Sequence, residues 1–279
     1  MLFILASLIA LIFVAWLVVR GFANAFYFFA RWLSGGEKLD AETTLSVSGK
    51  LHSTKKEREQ YLDVLHIGWY QVVILFVGGS MAGLLLEEIW MLVTAGLTES
   101  RVGLVWGPFS PLYGTGTVLL TVICYWLRRR HVSNLVVFLV SACIGGILEQ
   151  VTGWGMLTFF HTQSWSYAHL PDHITEFVAW RFLFFWGLLG LAWCRFVMPR
   201  ALYHIGESPS RRQAIFITLI SVYVVADVCM TVACFTRATA RDAGVSPHNA
   251  FEEWVDTHYS NEFISARFQN MSVHVEGTK

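Results

Sequence analysis

Long apolar runs govern what this chain can become. A helix needs about 20 consecutive apolar residues to cross roughly 30 Å of hydrocarbon. Six stretches qualify: Leu2–Val19, Ile67–Leu86 (extending toward Ala95), Pro111–Leu127, Leu135–Phe159, Phe177–Met198 and Ala214–Phe235. The expected fold class is therefore all-α, a polytopic membrane protein of about six transmembrane helices. Composition agrees. The 279 residues are 55% hydrophobic and 14% charged, whereas soluble domains carry about 25% charged residues. The 12 Trp and 9 Tyr are suited to bilayer interfaces. Formal net charge is zero, so the total gives no reason to expect nucleic acid. Cys124, Cys143, Cys194, Cys229 and Cys234 lie in or beside the apolar runs without metal-ligand spacing, and read as small hydrophobes.

The first run has some features of a secretory signal, including the small-x-small triplet Ala23-Asn24-Ala25. No basic residue precedes Arg20, however, and the run is long for a signal core, which favours an uncleaved anchor. Basic residues set the orientation. Arg20, Arg31, Lys38, Lys50, Lys55, Lys56 and Arg58 follow the first run, Arg128–Arg130 follow the third, and Arg195, Arg200, Arg211 and Arg212 follow the fifth. These alternate segments belong in the cytoplasm, so both termini are expected to be extracytoplasmic. The expected organisation is an anchor (1–20), a cytoplasmic linker (21–66), a membrane domain (67–200), a last transmembrane helix (201–235) and an extracytoplasmic tail (236–279). In the tail, Ser246-Pro247 reads as a helix cap and first-turn proline. Phe251, Trp254, Val255, Tyr259 and Phe263 then recur at helical spacing, as in an amphipathic surface helix or a partner-docking helix.

Charges inside a bilayer are costly and mark pathways, binding sites or paired contacts. Glu87 and Glu88 lie near the outer end of the second run. At 1.5 Å per residue, Glu149 lies about 15 Å, Arg181 about 7 Å and Asp227 about 12 Å from the outer ends of their runs. All fall in the outer half, as though converging on one outward-facing polar pocket. Arg181 could pair with Glu149 or Asp227 as a purely structural tie. Yet the four acids outnumber that one arginine, and surplus acids must be protonated, solvated or bound to a cation.

The densest signal is Gly103 to Gly116, reading GLVWGPFSPLYGTG. Pro108 and Pro111 among glycines do not make a regular helix. Ser110 before Pro111 is a helix start, so the third span begins here with its free N–H groups facing the pocket. Irregular backbone at membrane depth survives only when buried in protein or lining a wet cavity. Trp106, Gly107 and Tyr113 thus become candidate wall residues; a tight turn followed by close packing on Gly114 and Gly116 is the plainer reading. Gly79 with Gly83, and Ser141 with Gly145, are small-xxx-small pairs that let helices approach. The segment from His161 to Glu176 holds His161, His169, His173, Asp172 and Glu176, but the spacing matches no strong metal motif. Its Trp165 and Tyr167 could cap a pocket.

The stretch from Gly68 to Arg200 resembles a family labelled putative ABC-transporter type IV permease. Gly103–Gly116 resembles its glycine/proline signature, Gly83 with Glu87 its earlier glycine-to-glutamate motif, and Leu148-Glu149 the start of its later glutamate motif. Trp165-Ser166-Tyr167 is similar to its tryptophan/aspartate/tyrosine loop, and Arg181 with Trp186-Gly187 to its next helix. There are departures. Val102 stands where the family has arginine, with Arg101 one place earlier; Leu157 replaces a glutamate and Ser166 the loop aspartate. The resemblance implies a permease in the bacterial inner membrane, served by a separate cytosolic ATPase. No Gly-x-x-x-x-Gly-Lys phosphate loop is present, so the chain is not itself that ATPase.

Three functions compete. The first is a permease-like transport subunit whose pocket of Glu87, Trp106, Gly107, Pro108, Pro111, Tyr113, Glu149, Trp165, Tyr167, Arg181 and Asp227 accepts a small solute. The second is a membrane-embedded ligand or lipid sensor. The third is an intramembrane enzyme with Glu149 or Asp227 as general base; no serine or cysteine nucleophile motif accompanies it, and no catalytic residue is assigned. Membrane lipids are the expected environment, self-association into a homo-oligomer is open, and no cofactor, metal or nucleic acid is expected.

Overall fold

Glycine spacing decides how the apolar helices meet. The computed structural model describes residues 55–206 and 209–273. Its principal helices are α1 (Lys55–Val64), α2 (Trp69–Ala95), α3 (Pro111–Arg129), α4 (Asn134–Phe160), α5 (Trp180–Ala192), α6 (Met198–Ile205), α7 (Arg211–Asp242), α8 (Ala250–His258) and α9 (Asn261–Arg267). Along the antiparallel α2–α3 contact, Gly79 faces Thr117, Gly83 faces the Tyr113 ring, and Gly114 faces Ser80 and the Phe76 carbonyl. A methyl at any of these points would collide with its neighbour. The α4–α5 contact repeats the device: Gly145 faces the Trp186 indole, Gly187 faces Phe138, and Gly190 faces Ser141. Both small-residue pairs expected from the sequence therefore serve close helix approach.

A π turn, Trp193–Val197, joins α5 to α6. Pro199 in the first turn of α6 has no N–H and crowds the carbonyl four residues back, so the helical ladder widens there instead of breaking. Trp180–Ile205 thus runs as one 26-residue span. Among the described residues, four helices are long and apolar enough to cross a membrane: Trp69–Ala95, Asn134–Phe160, Trp180–Ile205 and Arg211–Asp242. The third expected span forms α3, which carries the chain back between α2 and α4; Gly114, Thr115, Gly116, Thr117 and Thr121 make it less apolar than those four. The first expected span, Leu2–Val19, lies outside the described residues, as does most of the linker, whose end Lys55–Val64 folds as α1.

On α2, Trp69 and Trp90 are 52% and 63% exposed and stand 21 positions apart. At 1.5 Å per residue that is about 32 Å, close to the roughly 30 Å hydrocarbon thickness. The bundle so acquires two ends. At the α1 end, the buried Tyr125 hydroxyl meets the Leu62 and Leu65 carbonyls at 2.8 and 2.5 Å, and Arg129 donates to the Asp63 carbonyl. The fully buried Gln71 donates to the Gly206 carbonyl at 2.6 Å and accepts the Gly68 N–H at 2.8 Å.

The other end carries the tail. Helix α7, 32 residues or about 48 Å long, outreaches the hydrocarbon layer, and its last turns hold α8 and α9. Arg237 pairs with Asp256 at 2.6 Å and with Glu252 at 3.3 Å, and Arg241 also pairs with Asp256. The expected start at Ser246-Pro247 is corrected: Asn249 caps α8 by accepting the Glu252 N–H at 2.9 Å, and the first helical residue is Ala250. Strand β1 (Thr162–Gln163) pairs antiparallel with β2 (Ser272–Val273), tying the tail to the segment that leaves α4.

Candidate functional site

The loop between α2 and α3 folds back against the middle of α7. Its irregular backbone must find hydrogen bonds inside the protein, and two charged side chains supply them. Asp227, fully buried, accepts the Trp106 N–H at 2.9 Å and the Gly107 N–H at 3.2 Å. Arg267 of α9 donates to the Leu104 and Gly107 carbonyls at 3.1 and 2.7 Å. Thr231 completes the clamp: its hydroxyl accepts the Val105 N–H at 3.0 Å and donates to the Asp227 carbonyl at 2.7 Å. Asp227 is consequently spent on backbone amides, which corrects the expectation that it joins the other acids in one pocket.

The same loop places its named residues unevenly. Gly107 is buried with the Phe109 ring against it, leaving no room for a side chain. Pro108 is exposed. Trp106 faces outward, its ring stacked 6.4 Å from Tyr223 and its indole N–H donating to the Tyr259 hydroxyl at 2.8 Å. It is a surface aromatic and forms no wall beside Glu149. Pro111 begins α3 as expected, at the first position after Ser110, and packs against Gly103; the Ser110 side chain makes no cap hydrogen bond.

A second polar centre forms where α2, α3, α4 and the α4–α5 loop come together. Glu149, 7% exposed, accepts the Trp186 indole N–H at 2.9 Å on Oε1. Its Oε2 is buried and has no hydrogen-bond partner among the described residues. Tyr113 lies within electrostatic reach of Glu87, Glu149 and Tyr167. Glu87 pairs with Arg101 at 2.8 Å, and the buried Nε of Arg101 has no partner among the described residues. The arginine displaced by one position in the glycine/proline signature therefore still meets the glutamate of the earlier motif. Tyr167 stacks on Phe182 at 4.4 Å, and burial beside Glu149 and Glu87 pushes its phenol well above the ordinary range. Glu87, Tyr113, Glu149 and Tyr167 are thus brought together, with Arg101 and Trp186 as members that sequence reading had not assigned.

Arg181 is elsewhere. Its guanidinium pairs with Asp172 at 2.6 Å and is largely exposed, so it orients neither Glu149 nor Asp227. Asp172, nine residues upstream, also accepts the Arg181 N–H at 3.1 Å, and these hydrogen bonds hold its carboxyl below the usual range. Trp165 donates to the Phe177 carbonyl at 3.3 Å and meets that ring edge-on, while Phe177 fills the space beside Gly153. Trp165 is a packing residue of the loop. Among the described residues no group of three His, Cys, Asp or Glu side chains stands close enough to hold a metal ion.

Chemically, the second centre offers one carboxylate oxygen without a partner among the described residues, a carboxylate–guanidinium pair with a phenol nearby, and aromatic faces around both. Taking Glu87, Glu149 and Arg101 together, it carries one more acid than base. Comparison with known proteins adds one match: the family model described as putative ABC-transporter type IV matches residues 74–232. No curated protein and no solved structure matches.

Proposed function

This chain belongs to the putative ABC-transporter type IV family, and from that premise we propose that this transport-related membrane protein is a permease-like subunit with a solute site at Glu149. The solute enters from the tail end of the bundle, which is the extracytoplasmic end if the basic loops lie inside. Glu149 presents Oε2 to a hydrogen-bond donor or cationic group on the solute. Glu87, Tyr113 and Arg101 form the polar wall, and Tyr167 with Phe182 forms the aromatic one. A cytosolic ATPase docks on the α1 end, in a bacterial inner membrane that α3 also crosses, and copies of the chain associate there.

One observation carries the reading: a buried carboxylate oxygen without a partner among the described residues, beside a phenol and a second acid. An ionisable group buried at membrane depth is costly unless it serves a pathway or a binding site. The test is ligand-induced thermal stabilisation of the purified chain across solutes, with Glu149→Gln alongside. Binding to the folded form raises apparent stability by about 2.7 kcal/mol at 100-fold ligand excess over Kd. A stabilising solute whose effect disappears in Glu149→Gln supports the site, and no response across cationic, hydroxylated and anionic solutes would sink it.

A further inference from the structure

Exposed tryptophans mark both edges of the bundle. Trp69 and Trp126 lie at the α1 end, on the first turn of α2 and the last turn of α3. Trp90, Trp154 and Trp180 lie near the tail end, the first two within about 9 Å of their helix ends and the third on the first turn of α5. All five are at least half exposed. Such belts sit at the two membrane–water interfaces.

The tail continues the second belt. Trp106 lies beside the exposed Tyr223 of α7, one turn from the exposed Leu219 on the same face of that span. Trp106 bonds to Tyr259, Tyr259 meets Trp254 edge-on at 5.7 Å, and Trp254 stacks with Phe251 at 6.3 Å. The aromatic surface thus runs without interruption from the apolar flank of a membrane-crossing helix onto α8. Helix α8 is two-faced. Val255 is fully buried and Asp256 faces the arginines of α7, whereas Phe251 and Trp254 are 55% and 41% exposed.

We infer that α8 lies in the lipid interface on the tail side of the membrane, with Phe251 and Trp254 sunk among the acyl chains and headgroups beside α7. The tail is then a membrane-surface element that completes the aromatic belt, and it holds the α2–α3 loop clamp at the level of the lipid. A neutral bilayer suffices as partner, because the exposed charge near that face, Glu253, gives no attraction to anionic lipid, and Glu252 is already paired with Arg237.

Hydroxyl-radical footprinting of the full chain in phosphatidylcholine nanodiscs, read residue by residue by mass spectrometry, tests this. Trp90 and Trp154 serve as belt references and His248, exposed ahead of α8, as the water reference. Since the described residues leave Phe251 and Trp254 open, protection must come from beyond them. Expected are oxidation rates for both residues, each normalised to the intrinsic reactivity of its side chain, close to that at Trp90. Rates matching His248 would overturn the inference. Protection that appears only in native membrane fragments and is lost in the nanodisc would overturn it too, and would assign the face to a protein partner.

Discussion

Asp227 and Arg267 grip opposite groups of one loop: the carboxylate takes the N–H groups of Trp106 and Gly107, and the guanidinium takes the carbonyls of Leu104 and Gly107. Gly107 is held by both. The pair is an intramolecular substitute for the water that irregular backbone would otherwise need.

Asp227→Asn keeps the shape but replaces one accepting oxygen with an N–H₂ group that faces a backbone donor. Losing a charge-assisted, buried hydrogen bond and leaving an amide unsatisfied costs about 2 kcal/mol. Thermal unfolding in detergent should show the drop, while solute stabilisation of the folded protein stays intact. A variant with normal stability and no solute response would place Asp227 in the binding site instead.

Gly145→Ala tests the support beneath Glu149. A methyl at that position overlaps the Trp186 ring, and the ring supplies the indole donor to Glu149 Oε1. Overpacking of this kind costs about 1–3 kcal/mol. The indole should shift, so solute stabilisation weakens beyond what the lower Tm explains. Gly155→Ala is the control, since a methyl there meets nothing within 4 Å; stability should hold or rise slightly, as for a helix-interior glycine, and solute stabilisation should not change.

The helices and their closest contacts were legible because each depends on local pattern. Apolar length marks the spans, and Gly79, Gly83, Ser141 and Gly145 mark the faces that meet. Ser110-Pro111 announces the start of α3, although the cap bond itself is missing. The site was legible only in part. Glu87, Tyr113, Glu149 and Tyr167 do gather, but Asp227 binds backbone amides about 120 positions away, and backbone donors leave no mark in a count of charged side chains. Arg181 was misread for the opposite reason: its partner Asp172 lies close by in the connecting loop, outside the spans on which the charge count was made. Arg267, in a short helix of the tail, has no local signal that it reaches a loop about 160 positions earlier.

Asp256 should make attachment of the tail acid-sensitive. Hydrogen bonds from Arg237 and then Arg241 hold its carboxyl below the ordinary range. A depressed folded value means the stabilisation is fully present above the unfolded pKa, near 3.9, and is lost as pH falls through the folded value. Protection of the α8 amides, measured relative to their intrinsic exchange at each pH, should therefore be steady from neutral pH down to about 4 and fall below it. Asp256→Asn should raise exchange in α8 at neutral pH and flatten that acid response.

Tyr125→Phe addresses the other end of the bundle. The Tyr125 hydroxyl is buried and lies within hydrogen-bonding distance of two carbonyls at the end of α1 and just beyond it, Leu62 and Leu65. It can donate to only one at a time, so the pair shares a single proton donor and both carbonyls lose it together in the variant. The cost is about 1–2 kcal/mol. Most of it should fall locally, because α1 is otherwise held by apolar packing of Leu62 and Leu65 on Met198 and Leu202 and by the Arg129 bond to Asp63. Limited trypsin digestion reads this directly: Arg58, within α1, is expected to be cut faster in the variant, with little change in the Tm of the remaining bundle. Equal cleavage rates would mean that apolar packing alone fixes α1, and a collapse of the whole Tm would mean that α1 is part of the folding core.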